Sequence, residues 1–431
     1  MNNTFNTLKL KNGLTILLQE IHTAPIVSSW VWYGIGSRNE VPGKTGISHW
    51  VEHMQFKGTS RRSAQDMDHT IARLGGYWNA FTSTDWTAYF ETLPASALET
   101  ALDLEADRMT NSRFDPAEVE TERTVVISER EGSENDPQFQ LGEALQAHAF
   151  QRHPYRNEVI GFKEDLLTIT RDDLYAHYRH TYQPSNAILC LAGDFDTSSA
   201  LNLVEHSFGS IPAGPVIKAV PEPEAELPAF AQVELHGPGD TTFIQVAYRS
   251  PQANSEDFFA FSMLESLLTG PSNLNMFGSG GVGHRTSRLY LNLVDEGLAV
   301  GVGGSLTASI DPSTFTLYLT KHPERSVEEI LQALDHQIES IQNDPIPQAE
   351  IERARKQTEA LFAYGSDNIT NQAFWMGYAS SFADYSWFTQ YVERISAITP
   401  EMIRNTAQKY LRPEARVIGI YAPNQSEGQD D

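Results

Sequence analysis

The sequence predicts an α+β protein of two homologous domains, with sheets rich in antiparallel strands flanked by helices. Its 431 residues are long enough for two or more domains, and alternating, strand-like segments are interspersed with longer helical ones. A proline-rich stretch, residues 211–230, lies between two halves, and the second half repeats parts of the first. The predicted domains are therefore residues 1–210 and 231–431, joined by this linker.

The composition is that of an ordinary globular protein with a strong negative charge. Hydrophobic residues make up 40% of the chain, and 31 Lys and Arg face 56 Asp and Glu, which gives a net charge of −25. Because nucleic acid requires a basic surface, this balance argues against a nucleic-acid partner. The single cysteine, Cys190, lies in an apolar run and is interpreted as a buried strand thiol.

Signals for a membrane or for export are not visible in the sequence. No run of 18 apolar residues occurs, so we expect no transmembrane helix and no membrane partner. Residues 1–6 have neither a basic nor an apolar region of the kind that begins a secretory signal. We expect a cytoplasmic protein; a periplasmic location would require a leader that has been removed.

The first part of the chain predicts a hairpin and a third strand. Residues 7–20 alternate between apolar and polar side chains on both sides of Asn12-Gly13, a pair that favours a tight turn. Residues 25–34 are rich in β-branched and aromatic side chains and predict the third strand.

The next segment, His49-Trp50-Val51-Glu52-His53, predicts a metal-binding helix. At about 100° per residue, His49 and His53 lie about 40° apart, and Glu52 lies about 60° to the other side of His49. Two imidazoles one turn apart can reach one metal ion, and a carboxylate beside them can reach a water on it. The order His-x-x-Glu-His is typical of the inverzincins. The alternative is an amphipathic helix whose polar face happens to carry two histidines.

A zinc hydrolase needs a third protein ligand, and the helix predicted from residue 115 offers carboxylates. Asp115 and Pro116 favour a helix start. Glu122 and Glu129 are seven residues apart and share one face. Two buried carboxylates on one face are costly without a cation to face. The alternative is a solvated acidic helix.

His49-x-x-Glu52-His53, followed by Glu122 and Glu129, resembles the pitrilysin and mitochondrial-processing-peptidase family of zinc peptidases, in its small bacterial type. The spacings of 76 residues from His53 to Glu129 and seven from Glu122 to Glu129 match the family. The resemblance implies one Zn²⁺ per chain, held by His49, His53 and Glu129, with Glu52 as general base. It also implies that Glu122 orients a ligand histidine without binding the metal.

Residues 63–76 predict a helix that ends at two glycines, and residues 77–90 predict two strands joined by a turn. In the family, the matching segment is an edge strand beside the zinc, and substrate pairs with it as an added strand. The resemblance implies Asn79 and Ala80 as substrate contacts. The alternative is a plain core strand in which Asn79 caps a bulge.

The rest of the first half alternates between helices and a strand. Residues 95–112 and 115–149 are predicted to be helical, and a helix capped by Thr170 follows. Residues 186–193 predict a strand, and residues 197–208 a helix.

Two segments of the second half echo the first half at nearly one offset. Residues 398–413 resemble the segment 229 residues earlier, and residues 349–355 resemble the segment 232 residues earlier. Such echoes indicate a duplicated domain. Ala354 and Leu361 stand where the first copy has its two acidic residues, so the second domain is predicted to lack the metal site.

The resemblance also implies two α/β rolls that form a clamshell over a chamber. In the family, the second half of the chain, or of a partner, supplies an Arg and a Tyr that bind substrate and polarise the scissile carbonyl. Here Leu293 and Val300 stand at those positions, after the glycine-rich loop 278–283. Neither side chain can donate a hydrogen bond to a developing oxyanion.

We therefore predict the zinc-bearing subunit of a heterodimer whose related partner carries the Arg and Tyr. The predicted activity is that of an endopeptidase acting on peptides or short unfolded segments bound as an added strand in a closed chamber. The alternatives are a homodimer or monomer that uses donors such as Arg288 or Tyr290, a non-catalytic scaffold subunit, and a zinc hydrolase of non-peptide substrates.

Overall fold

The computed structural model describes residues 5–214, 217, 224, 230–271 and 284–424. Most of the predicted linker 211–230 and all of the glycine-rich loop 278–283 lie outside the described residues.

The described residues form two mixed sheets with helices packed on them. The strands are β1 (Phe5–Lys9), β2 (Thr15–Glu20), β3 (Ile26–Tyr33), β4 (Tyr77–Thr82), β5 (Thr87–Pro94), β6 (Ala187–Gly193), β7 (Ala231–Gly237), β8 (Phe243–Arg249), β9 (Ala299–Leu306), β10 (Thr314–Lys321) and β11 (Arg416–Pro423). The helices are α1 (Ile47–Met54), α2 (Ala64–Arg73), α3 (Leu98–Asn111), α4 (Pro116–Ser133), α5 (Pro137–Ala149), α6 (Lys163–Thr168), α7 (Arg171–Thr181), α8 (Thr197–Phe208), α9 (Asp257–Leu268), α10 (Val327–Asn343), α11 (Gln348–Tyr364), α12 (Ile369–Phe382), α13 (Ser386–Thr389), α14 (Tyr391–Ser396) and α15 (Pro400–Tyr410). Among these helices, none has the length and apolar character needed to cross a bilayer.

The two sheets share one topology, which confirms the prediction of two homologous domains. The first sheet has the order β1-β2-β6-β3-β5-β4, and the second has the order β7-β11-β8-β10-β9. Among the described strands, only β2 and β6 pair in parallel in the first sheet, and only β7 and β11 do so in the second. Strand β1 of the predicted hairpin has no counterpart among the described strands of the second sheet.

The chain divides into two compact units that exchange a helix. The first unit contains Met1–Glu131, Asn157–Pro221 and Ser366–Phe388, and the second contains Gly132–Arg156, Glu222–Gly365 and Thr389–Asp431. Helix α5 of the first half therefore packs on β8 and β11, whereas α12 of the second half packs on β3 and β6. The predicted boundaries at residues 210 and 231 stay predictions.

The helix predicted over residues 115–149 is interrupted at the point where the chain passes between the units. Helix α4 ends at Ser133, and α5 begins at Pro137. The carboxylate of Asp136 accepts a hydrogen bond from the N–H of Gln138 and caps the new helix. Proline at the first helical position fits this start and prevents a continuous helix.

Helix α12 covers an aromatic face of the first sheet. Trp30 of β3 stacks on Phe90 of β5 with ring centroids 4.2 Å apart, and Phe374 of α12 lies 5.4 Å from the ring of Trp32. The opposite face of this sheet packs on α1, α3, α7 and α8. Because β3 is covered on both faces, nearly all its residues are buried, as its run of aromatic and β-branched side chains requires.

Candidate metal centre

Helix α1 carries the predicted motif and is anchored at both its start and its inner face. The Glu40 carboxylate accepts hydrogen bonds from the N–H groups of Gly46 and Ser48, at 2.8 Å each. These bonds satisfy N–H groups that have no partner within the helix. Trp50 and Val51 are buried in the core, which leaves His49 and His53 on the more exposed face.

Helix α4 brings the two predicted carboxylates to the same place. Val119, Val126 and Arg130 are buried along one side of the helix and fix its rotation. Glu122 is also buried, whereas the side chain of Glu129 is 49% exposed. The two carboxylates therefore have different environments, although they lie two turns apart on one helix.

The ligand atoms of His49, His53 and Glu129 all lie within 4.8 Å of one another. The Nε2 atoms of the two histidines are 3.2 Å apart. The carboxylate oxygens of Glu129 lie 3.9 Å from Nε2 of His49 and 3.7 Å from Nε2 of His53. Within the part of the chain that the structure describes, this is the one such group of three or more metal-binding side chains.

The protonation of His53 shows that this group suits a divalent cation. Its Nδ1 lies 2.8 Å from Oε1 of Glu122, and a carboxylate accepts, so Nδ1 carries the proton. In the neutral ring, Nε2 then carries a lone pair that faces Nε2 of His49 and the carboxylate of Glu129. Two imidazoles and one carboxylate, with a hydrogen-bonded carboxylate behind one ring, form a donor set that zinc prefers.

Burial and neighbouring charges set the protonation states of these residues. Burial, together with the nearby charge of His53, lowers the pKa of His49 to about 4, so this ring is neutral at pH 7. Burial alone would lower the pKa of His53, but its hydrogen bond to Glu122 raises that pKa above the usual value. Burial opposes ionisation of Glu122, yet hydrogen bonds from His53 and Lys57 lower its pKa and keep it ionised.

Glu52 lies on the same helix and is 9% exposed. Its Oε2 accepts a hydrogen bond of 2.7 Å from Oγ1 of Thr82, at the end of β4. Burial raises the pKa of Glu52, and the bond from Thr82 opposes this rise. A carboxylate whose pKa is raised toward neutral pH is suited to accept a proton and then to release it.

Strand β4 is an edge strand of the first sheet and packs beside α1, as its predicted position requires. Asn79 is exposed, and its Oδ1 accepts a hydrogen bond of 2.9 Å from the N–H of Ala80, which is buried. Their contact with substrate stays a prediction.

Helix α11 of the second half corresponds to α4 in the sequence repeat but differs from it at the two acidic positions. On α11, Ala354 is buried and Leu361 is partly buried, so neither position can bind a metal. Leu293 is fully buried in the short π-helix Tyr290–Val294, and Val300 on β9 is exposed.

Three supporting residues were missed by sequence reasoning: Glu40, Lys57 and Thr82. Lys57 lies beyond the end of α1 at Met54, so the helical period of the motif does not place it. Thr82 and Glu40 contact the helix through the tertiary fold, and no spacing in the sequence indicates those contacts.

Two family models match consecutive parts of the chain. Residues 15–163 match a model described as insulinase (peptidase family M16), and residues 168–358 match one described as peptidase M16 inactive domain. The chain belongs to the M16 peptidase family. This membership confirms the resemblance to pitrilysin-like zinc peptidases. That the second domain lacks a metal site stays a prediction.

Relatives of this M16 chain match over almost its whole length. An uncharacterized zinc protease of Mycobacterium leprae is 28% identical over 426 residues, which cover 96% of this chain and 91% of the relative. The mitochondrial-processing peptidase subunit beta of Lentinula edodes is 26% identical, with 93% and 86% covered. The crystal structure of a protease from Helicobacter pylori superposes with a TM-score of 0.87 at 27% identity, covering 98% of this chain and 100% of that one.

Proposed function

We propose that this M16 chain is a zinc-dependent endopeptidase. The observation that carries the proposal is the convergence of His49, His53 and Glu129 on one point, with the buried carboxylate of Glu52 on the same helix. The names of its relatives support a metallopeptidase, and the donor set of the site supports zinc.

In this proposal His49, His53 and Glu129 hold one Zn²⁺ ion per chain. When bound, zinc supplies Lewis acidity, which lowers the pKa of water and polarises a carbonyl group. Glu52 takes a proton from the attacking water and passes it to the nitrogen of the leaving amine. The carbon–oxygen bond forms as the carbon–nitrogen bond breaks, so one water is consumed and two peptides are released.

The open edge of β4 supports an extended peptide as the substrate. An added strand binds through main-chain hydrogen bonds and tolerates many side chains. Asn79 and Ala80 lie on this edge and are the proposed substrate contacts. A hydrolase of small non-peptide substrates would have no use for such an edge.

We further propose that full activity needs a related partner subunit that carries the Arg and Tyr of the family. Leu293 and Val300 cannot take their place, because neither has a hydrogen-bond donor in its side chain. Arg288, one of the two alternative donors, is 9% exposed, and its Nε lies 2.7 Å from Oε2 of Glu350. An arginine already held by a carboxylate is poorly placed to stabilise an oxyanion, which weighs against a self-sufficient monomer or homodimer.

Cleavage of a quenched, moderately basic peptide by the zinc-loaded chain tests the activity, with Glu52→Gln as the blank. The matched control is Glu118→Gln, which removes an exposed carboxylate from the first turn of α4. Turnover that depends on Glu52, alone or after addition of an Arg- and Tyr-bearing relative from the same genome, supports the peptidase. Full turnover by Glu52→Gln would contradict it, and zinc binding without turnover under any pairing would favour a scaffold.

A further inference from the structure

The open edge of β4 presents a defined set of main-chain groups. The N–H of Ser83 donates to the carbonyl of Trp86 at 2.8 Å, at the turn where β4 meets β5. Hydrogen-bonded and non-hydrogen-bonded pairs alternate in an antiparallel ladder, so Thr82 and Ala80 direct their N–H and C=O groups away from β5. The bond from the N–H of Ala80 to the side chain of Asn79 agrees with this assignment.

The side chain of Thr82 points from β4 toward α1. Its Oγ1 donates to Oε2 of Glu52 at 2.7 Å, and the main-chain N–H of Thr82 is a second, weaker hydrogen-bond donor to this carboxylate. Oγ1 of Thr87 lies 3.5 Å from Oγ1 of Thr82 and donates its own proton to the carbonyl of Ile35 at 2.8 Å. The hydroxyl proton of Thr82 therefore goes to Glu52.

We propose that Thr82 is a positioning residue that couples the pairing of a substrate strand at the edge of β4 to the orientation of the Glu52 carboxylate. A peptide that pairs with the main chain of Thr82 fixes its φ and ψ angles. Because χ1 of a β-branched side chain is stiff, a fixed main chain also fixes Oγ1. The same residue thus contacts the substrate through its main chain and the proton carrier through its side chain. The proposal rests on the proposed peptidase function.

Two substitutions test the hydroxyl group of Thr82 independently of the shape of its side chain. Thr82→Val keeps the β-branched side chain and removes the hydrogen-bond donor. We expect kcat to fall about tenfold or more, because misplacement of a reacting group slows turnover, while KM stays within about twofold of the wild-type value. Thr82→Ser keeps the donor and should recover most of kcat. Thr7→Val, on the edge strand β1, is the matched control and should leave kcat, KM and the melting temperature unchanged.

Crystal structures of the zinc-loaded variants give a second readout that does not require activity. The Glu52 carboxylate should leave its observed position in Thr82→Val and return to it in Thr82→Ser, with zinc content unchanged in both. A Glu52 that stays in place in Thr82→Val, or a Thr82→Val kcat within twofold of the wild type while Glu52→Gln is inactive, would overturn the positioning role. Full activity of Glu52→Gln would instead overturn the peptidase function itself.

Discussion

Nδ1 of His53 lies 2.8 Å from Oε1 of Glu122, and the ammonium group of Lys57 contacts the same carboxylate. This contact joins α1 to α4 and holds the proton of His53 on the side of the ring away from the proposed metal. Glu122 thus fixes the orientation and tautomer of His53, which is a proposed zinc ligand. Burial raises the pKa of Glu122, but hydrogen bonds from His53 and Lys57 lower it below its usual value, so that the ionised carboxylate acts as an acceptor.

Glu122→Gln should weaken zinc binding about tenfold to hundredfold, because an amide can direct its NH₂ group rather than its oxygen toward the ring and no longer holds a negative charge. Competition with a chromophoric chelator at pH 7.5 measures the change. Glu118→Gln, on the exposed side of the same helix, should bind zinc as the wild type does. Equal affinity in Glu122→Gln and wild type would show that the contact does not support the metal.

Local sequence predicted most of the elements that carry the site. The His-x-x-Glu-His helix and the strand pair at residues 77–90 form as expected, because periodicity and turn residues determine them locally. The bond between Thr82 and Glu52 depends on the register of β4 against α1, and sequence spacing does not reveal such a register.

The exchange of α5 and α12 could not be predicted from the sequence either. A break at Pro137 indicates that a helix ends, but it does not show which sheet the next helix covers. Helix α12 packs on β3, more than 300 residues away along the chain, through contacts such as that of Phe374 with Trp32. Such long-range contacts leave no periodic signal.

The metal-free protein should lose stability through His49 as the pH falls from 6.5 toward 4. The folded pKa of His49 is lowered to about 4, so below pH 6.5 the unfolded chain takes up a proton that the folded chain refuses. The loss approaches about 3 kcal/mol near pH 4, from about 1.4 kcal/mol per unit of pKa difference.

Thermal unfolding of the wild type and of His49→Gln between pH 7.5 and 4.5, in the presence of a chelator, measures this contribution. His53, whose pKa is raised, contributes with the opposite sign in both proteins, so the difference between them reports His49 together with its coupling to His53. The wild type should lose more stability than His49→Gln on acidification. Parallel curves would contradict the neutral, buried state of His49.

Gly377 of α12 lies directly against the indole of Trp32, and an added Cβ would collide with Nε1 of that ring. We therefore expect Gly377→Ala to destabilise the protein by about 1–3 kcal/mol, as overpacking of a core does. Gly132→Ala is the matched control, because an added Cβ there meets no atom within 4 Å, and alanine favours a helix. Chemical denaturation measures the free energy of unfolding of both variants and of the wild type. A Gly377→Ala variant as stable as the wild type would mean that α12 does not pack as described.

Asn79→Ala should raise KM for an extended peptide about tenfold with little change in kcat, if the exposed amide contacts the substrate main chain. Steady-state kinetics on one quenched peptide measures both constants. In the structure, however, the Asn79 side chain accepts a hydrogen bond from the outward N–H of Ala80, a group that a paired substrate strand would use. A lowered KM would show that the side chain only caps this edge and must leave before substrate pairs.

We propose that His49, His53 and Glu129 form one zinc site beside a separate proton carrier, Glu52. The most direct measurement is the zinc content per chain, by elemental mass spectrometry after dialysis, of wild type, Glu52→Gln and Glu129→Gln. One zinc in the wild type and in Glu52→Gln, with little in Glu129→Gln, is the predicted result. A wild type without zinc, or a Glu129→Gln that retains it fully, would contradict the claim.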